Sequence, residues 1–209
     1  MKCFALLCAL GALLAPSLAL AENESWDGGY ELRAERRSGF TASAGLGLGL
    51  GVASGYPNSI EKQNDPAYES SIGAGFGSLS SLWIGGALRD WFIFGLGMSG
   101  YGASSGKLKA SGGTFILHVE AFPLWSLGGR FRDLSMFTEF GAGGVTIEGG
   151  PEKADGGLLS SIGLGASYEL FRWGHFALGP TLTSNYLYSD SMTAYGVFAG
   201  VRTTFYGGP

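Results

Sequence analysis

The sequence predicts an all-β protein: an antiparallel up-and-down β-barrel of eight transmembrane strands that follows a cleaved signal peptide. Three observations predict it. The N-terminus reads as an export signal. The chain beyond residue 38 alternates apolar with small side chains at a period of two. No amphipathic helix follows to cover the apolar faces that this alternation creates.

The export signal is MKCFALLCALGALLAPSLALA. Lys2 supplies the positive start, Phe4 to Leu14 the apolar run, and Ala19-Leu20-Ala21 the small-x-small pattern that a signal peptidase pocket admits. The run is too short for a membrane anchor and ends in a cleavage pattern, so residues 1–21 are expected to be removed and Glu22 to begin the mature chain. Cys3 and Cys8 both lie in this segment, and no lipobox precedes Cys8. The mature chain is thus expected to have neither disulfides nor thiolate ligands for a metal.

Composition narrows the class. Glycine supplies 38 of 209 residues, but 13% aromatic and only 14% charged residues oppose disorder. No run of 18 apolar residues follows the signal, which excludes helical membrane spans. A formal net charge of −4 argues against a nucleic-acid partner. One barrel domain, residues 39–209, is expected after a periplasmic N-terminal segment, residues 22–38.

The first strand, 39–53, shows the alternation most clearly. Phe40, Ala42, Ala44, Leu46, Leu48, Leu50 and Val52 share one face; Thr41, Ser43, Ala53 and the intervening glycines share the other. A sandwich would carry charge on its outer faces, whereas these opposite faces carry glycine and serine. A closed barrel resolves this, with the apolar face to lipid, the small face to a narrow lumen and every backbone group paired.

Seven further strands follow. The second, 71–88, turns Ile72, Ala74, Phe76, Leu82, Ile84 and Leu88 outward, and the third, 91–103, Phe92, Phe94, Leu96 and Met98. The fourth, 114–122, presents Phe115, Leu117, Val119 and Ala121; the fifth, 134–147, is less regular, with a candidate bulge at 141–144. The sixth, 158–171, the seventh, 176–188, and the eighth, 192–205, repeat the pattern. Each is long enough to cross a bilayer at barrel tilt, and an even number returns both termini to one side, the periplasm. The links 54–70, 104–113, 148–157 and 189–191 are then external, and aromatics near the strand ends form two interfacial girdles.

Charged residues on inward faces are rare and therefore informative. Parity turns His118, Glu120, Glu139, Glu169 and Arg202 into the lumen, where Arg202 is expected to pair with at least one of the three glutamates. Three carboxylates against one arginine imply either a protonated glutamate or a further cation, for which Arg33, Arg36 and Arg37 are candidates. Trp83, Tyr101, Phe137, Phe171 and Phe198 also point inward; they either fill the room that glycine leaves or line a cavity for a small apolar molecule.

Catalysis finds little support. His118 and Glu120 have the spacing of a base and its orienter on a strand, but no serine or cysteine nucleophile is placed beside them. His175 lies in a turn, and two histidines without a mature cysteine make a poor metal set. The GLGLGLG run sits in strict strand alternation with no following helix, so it is no phosphate loop. No catalytic residue, cofactor or metal is expected.

The signal peptide, the glycine-alternating strands SAGLGLGLG and SSIGAGFG, and the closing strand YGVFAGVRTTF together resemble the small eight-stranded outer-membrane proteins, the group that contains OmpX, OmpW and the OmpA membrane domain. The resemblance covers about residues 39–205. It implies a Gram-negative outer membrane, and it makes Phe205 the aromatic that the barrel-assembly machinery reads, although four residues follow it here. Some members modify lipid A with a His–Ser pair, and this chain lacks the serine beside His118. The resulting expectation is a monomeric, non-enzymatic barrel with an envelope-structural or surface-interaction role and outer-membrane lipid as its partner. The alternatives are a porin-like narrow conduit for small apolar solutes and a lipid-modifying enzyme.

Overall fold

The computed structural model describes residues 36–127 and 129–208; the expected signal peptide, the cleavage site and Arg33 lie outside the described residues. Eight long antiparallel strands close into a barrel: β1 (Gly39–Gly55), β2 (Ser70–Arg89), β3 (Phe92–Ser105), β4 (Leu108–Ala121), β5 (Leu134–Glu148), β6 (Leu159–Tyr168), β7 (Phe176–Tyr188) and β8 (Met192–Tyr206). Each pairs with the next, and β8 returns to β1 in unbroken register from Met192 opposite Gly55 to Tyr206 opposite Thr41. Two short segments extend the ladder, Ala154–Asp155 on β5 and Phe171–Trp173 on β7.

Alternation decides which side chains face out. Leu46, Leu48 and Leu50 are 59–68% exposed, while Thr41 and Ser43 between the same strands are buried. Phe76, Leu82, Leu96, Phe115, Leu164 and Val201 continue an exposed apolar band around the barrel. Such a band is tolerated in hydrocarbon and would drive aggregation in water.

Two departures from simple alternation have local causes. Ile72, expected on the outer face, is buried in the lumen. Gly51 pairs with Gly75 but Ala53 pairs with Ile72, so β2 carries one extra residue at Gly73-Ala74 and its parity inverts. The expected external link 104–113 is instead a two-residue turn, Gly106-Lys107, between β3 and β4. Gly106 adopts φ +61°, which favours glycine. Lys109, Ser111 and Gly113 lie on the outer face of this hairpin, so the apolar signal stops where the hydrogen-bonded ladder does not.

The interior is layered. Toward the long loops lies an apolar layer that includes Ile72, Ile147, Leu159, Leu187 and Met192. Tyr101 and Phe198 meet edge-on at 6.1 Å below it. The loop end is itself tied together: Lys62 Nζ pairs with Glu152 at 2.7 Å, Ser70 Oγ donates to the Glu152 carbonyl, and the Tyr56 N–H donates to the Ser191 carbonyl. At the opposite end the start of β1 meets the chain just after β8, where the Gly207 N–H donates to the Phe40 carbonyl at 2.7 Å.

Candidate functional site: the polar lumen and its closed mouth

Strand β4 alternates through HVEA, which sends His118 and Glu120 inward and Val119 outward. The β4–β5 register sets His118 opposite Glu139 and Glu120 opposite Phe137. His118 bridges the two carboxylates: Nδ1 lies 3.0 Å from Glu139 Oε1 and Nε2 lies 3.3 Å from Glu120 Oε2. Arg202 reaches across from β8 and donates through Nη2 to the other Glu120 oxygen. The Trp83 ring stacks on His118 at 4.4 Å and 17°, and Phe137 meets it at 5.2 Å on another side. The Arg202 guanidinium lies over Phe137 at 5.4 Å. Charged groups at this depth persist only when paired, and aromatic faces shield the pairs.

Glu169 lies outside this cluster. It belongs to a second one at the terminal end, built around Arg37, whose side chain is wholly buried. Arg37 Nη2 donates to Glu169 Oε2 at 2.7 Å and to Asp133 Oδ1 at 2.9 Å, and Nη1 donates to the Asp90 carbonyl at 3.2 Å. Its guanidinium sits 3.6 Å above the Phe122 ring. The Tyr206 hydroxyl donates to Glu169, Arg172 Nη1 donates to Glu169 at 3.2 Å, and Arg132 pairs with Asp90 at 2.9 Å. Arg36 pairs with Asp133 at 3.0 Å. Arg37 thus ties the chain before β1 to the β2–β3 turn, the β4–β5 link and the β6–β7 link, and Glu169 carries the tie on to Tyr206 at the end of β8.

Burial acts to lower the Arg37 pKa, and the Glu169 carboxylate more than offsets it, so the guanidinium is held above the ordinary arginine range.

Of the inward aromatics, Trp83, Tyr101, Phe137 and Phe198 lie in the lumen. Phe171 does not. It is half exposed and stacks on Trp173 at 5.7 Å on the outer surface. Regular β6–β7 pairing ends before Tyr168, where the Glu169 N–H instead donates to the Asp133 carbonyl, and pairing resumes with Phe171 opposite Leu178. That irregularity shifts the parity of the strand. Phe122 and Tyr206, placed by sequence in an interfacial girdle, are buried in the mouth instead. Phe205 faces outward among Phe40, Phe176 and His175, with ring centroids 5.1–6.5 Å away.

Asp90, Asp133, Arg132 and Arg172 escaped the sequence reading because all lie in the links between the predicted strands, where charge ordinarily means solvent. The usable signal was an Arg36-Arg37 pair just ahead of β1, facing turns that each carry an acid.

The space beside the lumen cluster is small. A cavity of about 20 Å³, bordered by Gly45, Ser81, Trp83, His118, Glu139 and Arg202, has room for about one water.

A scan against models of protein families finds no match, and a search of curated proteins finds none. Among solved structures the chain is similar to Ail, the attachment invasion locus protein of Yersinia pestis, at 11% identity and TM-score 0.49, over 79% of this chain and 98% of that one. It is also similar to Neisserial surface protein A, at 13% identity and TM-score 0.44, over 78% and 95% of the two chains. OprG from Pseudomonas aeruginosa follows at 11% identity and TM-score 0.40, over 82% and 98%.

Closure of the ladder, the apolar exterior and the packed polar interior define the class on their own: a small transmembrane β-barrel with the eight-stranded outer-membrane architecture.

Proposed function

We propose that this protein is a non-enzymatic barrel of the bacterial outer membrane that serves the envelope as a sealed scaffold and presents its loop end for surface interactions. The observation that carries this reading is the filled lumen. Trp83, His118, Phe137 and Phe198 occupy its cross-section, the adjoining cavity admits about one water, and Arg37 closes the terminal end. A conduit for apolar solutes needs room that this packing takes up. A hydrolase needs a free base, and both ring nitrogens of His118 already face carboxylates. The loop end, by contrast, is organised for display, with the Lys62–Glu152 pair joining two long loops and Ile60 projecting 92% exposed.

In this reading the termini and the Arg37 clasp face the periplasm, Phe205 on the closing strand is read by the assembly machinery, outer-membrane lipid surrounds the apolar band, and the barrel acts as a monomer. Planar bilayers test it. Purified protein is expected to give no defined single-channel steps, and its overexpression no change in lipid A mass. Stable conductance steps, or a lipid A mass shift lost in His118→Ala, would overturn it.

A further inference from the structure

With Glu169 held at the mouth, the centre of the lumen keeps four ionisable groups in a row: Arg202 on β8, Glu120 and His118 on β4, and Glu139 on β5. Arg202 Nη2 donates to Glu120 Oε1, Glu120 Oε2 lies 3.3 Å from His118 Nε2, and His118 Nδ1 lies 3.0 Å from Glu139 Oε1. All four side chains are at most 5% exposed, so water cannot complete these contacts. Hydrogens can therefore be counted along the row. A ring nitrogen and a carboxylate oxygen at this distance need a hydrogen between them, because otherwise lone pair faces lone pair. Two such contacts need two hydrogens, and a neutral imidazole has one. The row thus binds one proton more than a neutral histidine and two ionised glutamates supply.

Charges elsewhere do not alter this count. The arginines of the mouth, Arg36, Arg37, Arg132 and Arg172, are engaged with Asp90, Asp133 and Glu169, and none of them puts a hydrogen between His118 and its partners. Three features place the extra proton on the ring. Arg202 already donates to the other Glu120 oxygen, the charge-assisted contact of an ionised carboxylate, so the Nε2 contact takes its hydrogen from histidine. Imidazole is a stronger base than a carboxylate, so the Nδ1 contact does the same. The Trp83 ring lies flat against His118 at 4.4 Å and 17°, an arrangement in which an indole face stabilises a cation. Among the described residues the ring's other neighbours are uncharged: Phe137 lies 5.2 Å away, and the adjoining cavity is bordered by Ser81, Thr181, Thr183 and Phe198 besides Glu139 and Arg202.

We infer that His118 is a buried proton-binding site: its ring carries both N–H hydrogens, stands as a cation between Glu120 and Glu139, and so locks β4, β5 and β8 together across the lumen. Release of the proton sets a bare nitrogen against a buried carboxylate, and the cavity beside the ring has room for about one water to offset the loss. The inference rests on the sealed-lumen reading above, which keeps bulk water from the row.

Nitrogen-15 NMR of the full processed barrel in micelles, labelled in histidine, counts the ring hydrogens. His175 is the only other histidine, and His175→Gln removes its signals. At about pH 8, where a solvated histidine is almost wholly neutral, both nitrogens of His118 should carry a hydrogen. In Glu139→Gln the ring should carry one, since the new amide can donate to Nδ1 and brings no charge. A single ring hydrogen with Glu139 in place overturns the site, and that measurement decides it even where the variant does not fold. A doubly protonated ring that persists in Glu139→Gln, shown to be folded by heat-shifted gel mobility, overturns it as well. The lock is read from urea midpoints. A proton bound in the folded barrel and absent from the unfolded chain stabilises until it is lost. Raising the pH through the loss of the second ring hydrogen should therefore lower the native midpoint and leave that of Glu139→Gln unmoved; parallel curves overturn the lock. Bilayer conductance is scored alongside. A singly protonated ring in a barrel that conducts no ions refutes the proton site alone, whereas conductance steps through a barrel whose ring is doubly protonated refute the seal alone.

Discussion

Arg37 and Glu169 are separated by 132 residues and meet at 2.7 Å beneath the barrel, with the arginine side chain wholly buried. The contact joins the chain ahead of the first strand to the link after the sixth, so it forms only when the barrel has closed. Removing one partner of such a pair leaves the remaining charges buried and uncompensated, at a cost of about 3–5 kcal/mol. Arg37→Met should lower the urea midpoint of the micelle-bound barrel by a corresponding amount, and Arg130→Ala, an exposed change, by less than about 0.5 kcal/mol. Equal effects of the two would show that the clasp does not hold the mouth.

The same residue sets a pH expectation. The folded-state pKa of Arg37 is raised, because Glu169 outweighs the burial that acts to lower it. A raised folded value means that its stabilisation is complete below the unfolded pKa and disappears only as pH climbs through the folded one. The stability difference between the native protein and Arg37→Met should hence stay constant from about pH 7 to about pH 11, below the ordinary range of arginine. A difference that shrinks across that window would place the proton elsewhere.

The lumen pair makes a sharper case for coupling. Arg202 donates to Glu120, and both are buried among Phe137, Trp83 and His118. Arg202→Met alone should destabilise by about 3–5 kcal/mol, and Glu120→Leu added to it should recover most of the loss, since an apolar replacement of a buried pair is often neutral. Additive losses in the double variant, read from unfolding midpoints, would mean that the two residues do not act as a pair.

Period-two alternation made the barrel legible because side-chain direction in a strand is set by parity alone. From Phe40 to Val52 nothing interrupts it, and the inward residues of β4 and β8 follow from counting. Counting fails wherever one residue is inserted. The bulge at Gly73-Ala74 inverts Ile72, and the break after Tyr168 sends Phe171 outward. Neither carries a sequence signature stronger than ordinary glycine or turn chemistry. The mouth was illegible for another reason. Asp90 and Asp133 meet Arg37 only through closure, and no local pattern encodes which links closure brings together.

Two phenylalanines that alternation treats alike should behave differently. Phe198 is buried and lies edge-on to Tyr101 at 6.1 Å, whereas Phe171 is half exposed beside Trp173. Phe198→Ala should cost about 3–5 kcal/mol through the cavity it leaves. Phe171→Ala should cost less than about 1 kcal/mol, because a surface side chain leaves no cavity. Comparable losses in denaturant titrations would return Phe171 to the interior.

The bulge in β2 can be tested with a nitroxide label that does not disturb the packed interior. With the expected removal of the segment holding Cys3 and Cys8, a single introduced cysteine is the only labelling site. Unbroken alternation would point Ser71 inward with Gly75, but the shift between Gly51/Gly75 and Ala53/Ile72 turns Ser71 outward near the loop end. A label at Ser71→Cys should be mobile and open to a water-soluble nickel chelate. Labels at Leu48→Cys, Leu117→Cys and Val197→Cys, on the exposed apolar band, should favour oxygen dissolved in the bilayer. An immobile, chelate-shielded label at Ser71→Cys would move the bulge elsewhere. Chelate access at all three band positions would mean that water, not hydrocarbon, bathes the wall.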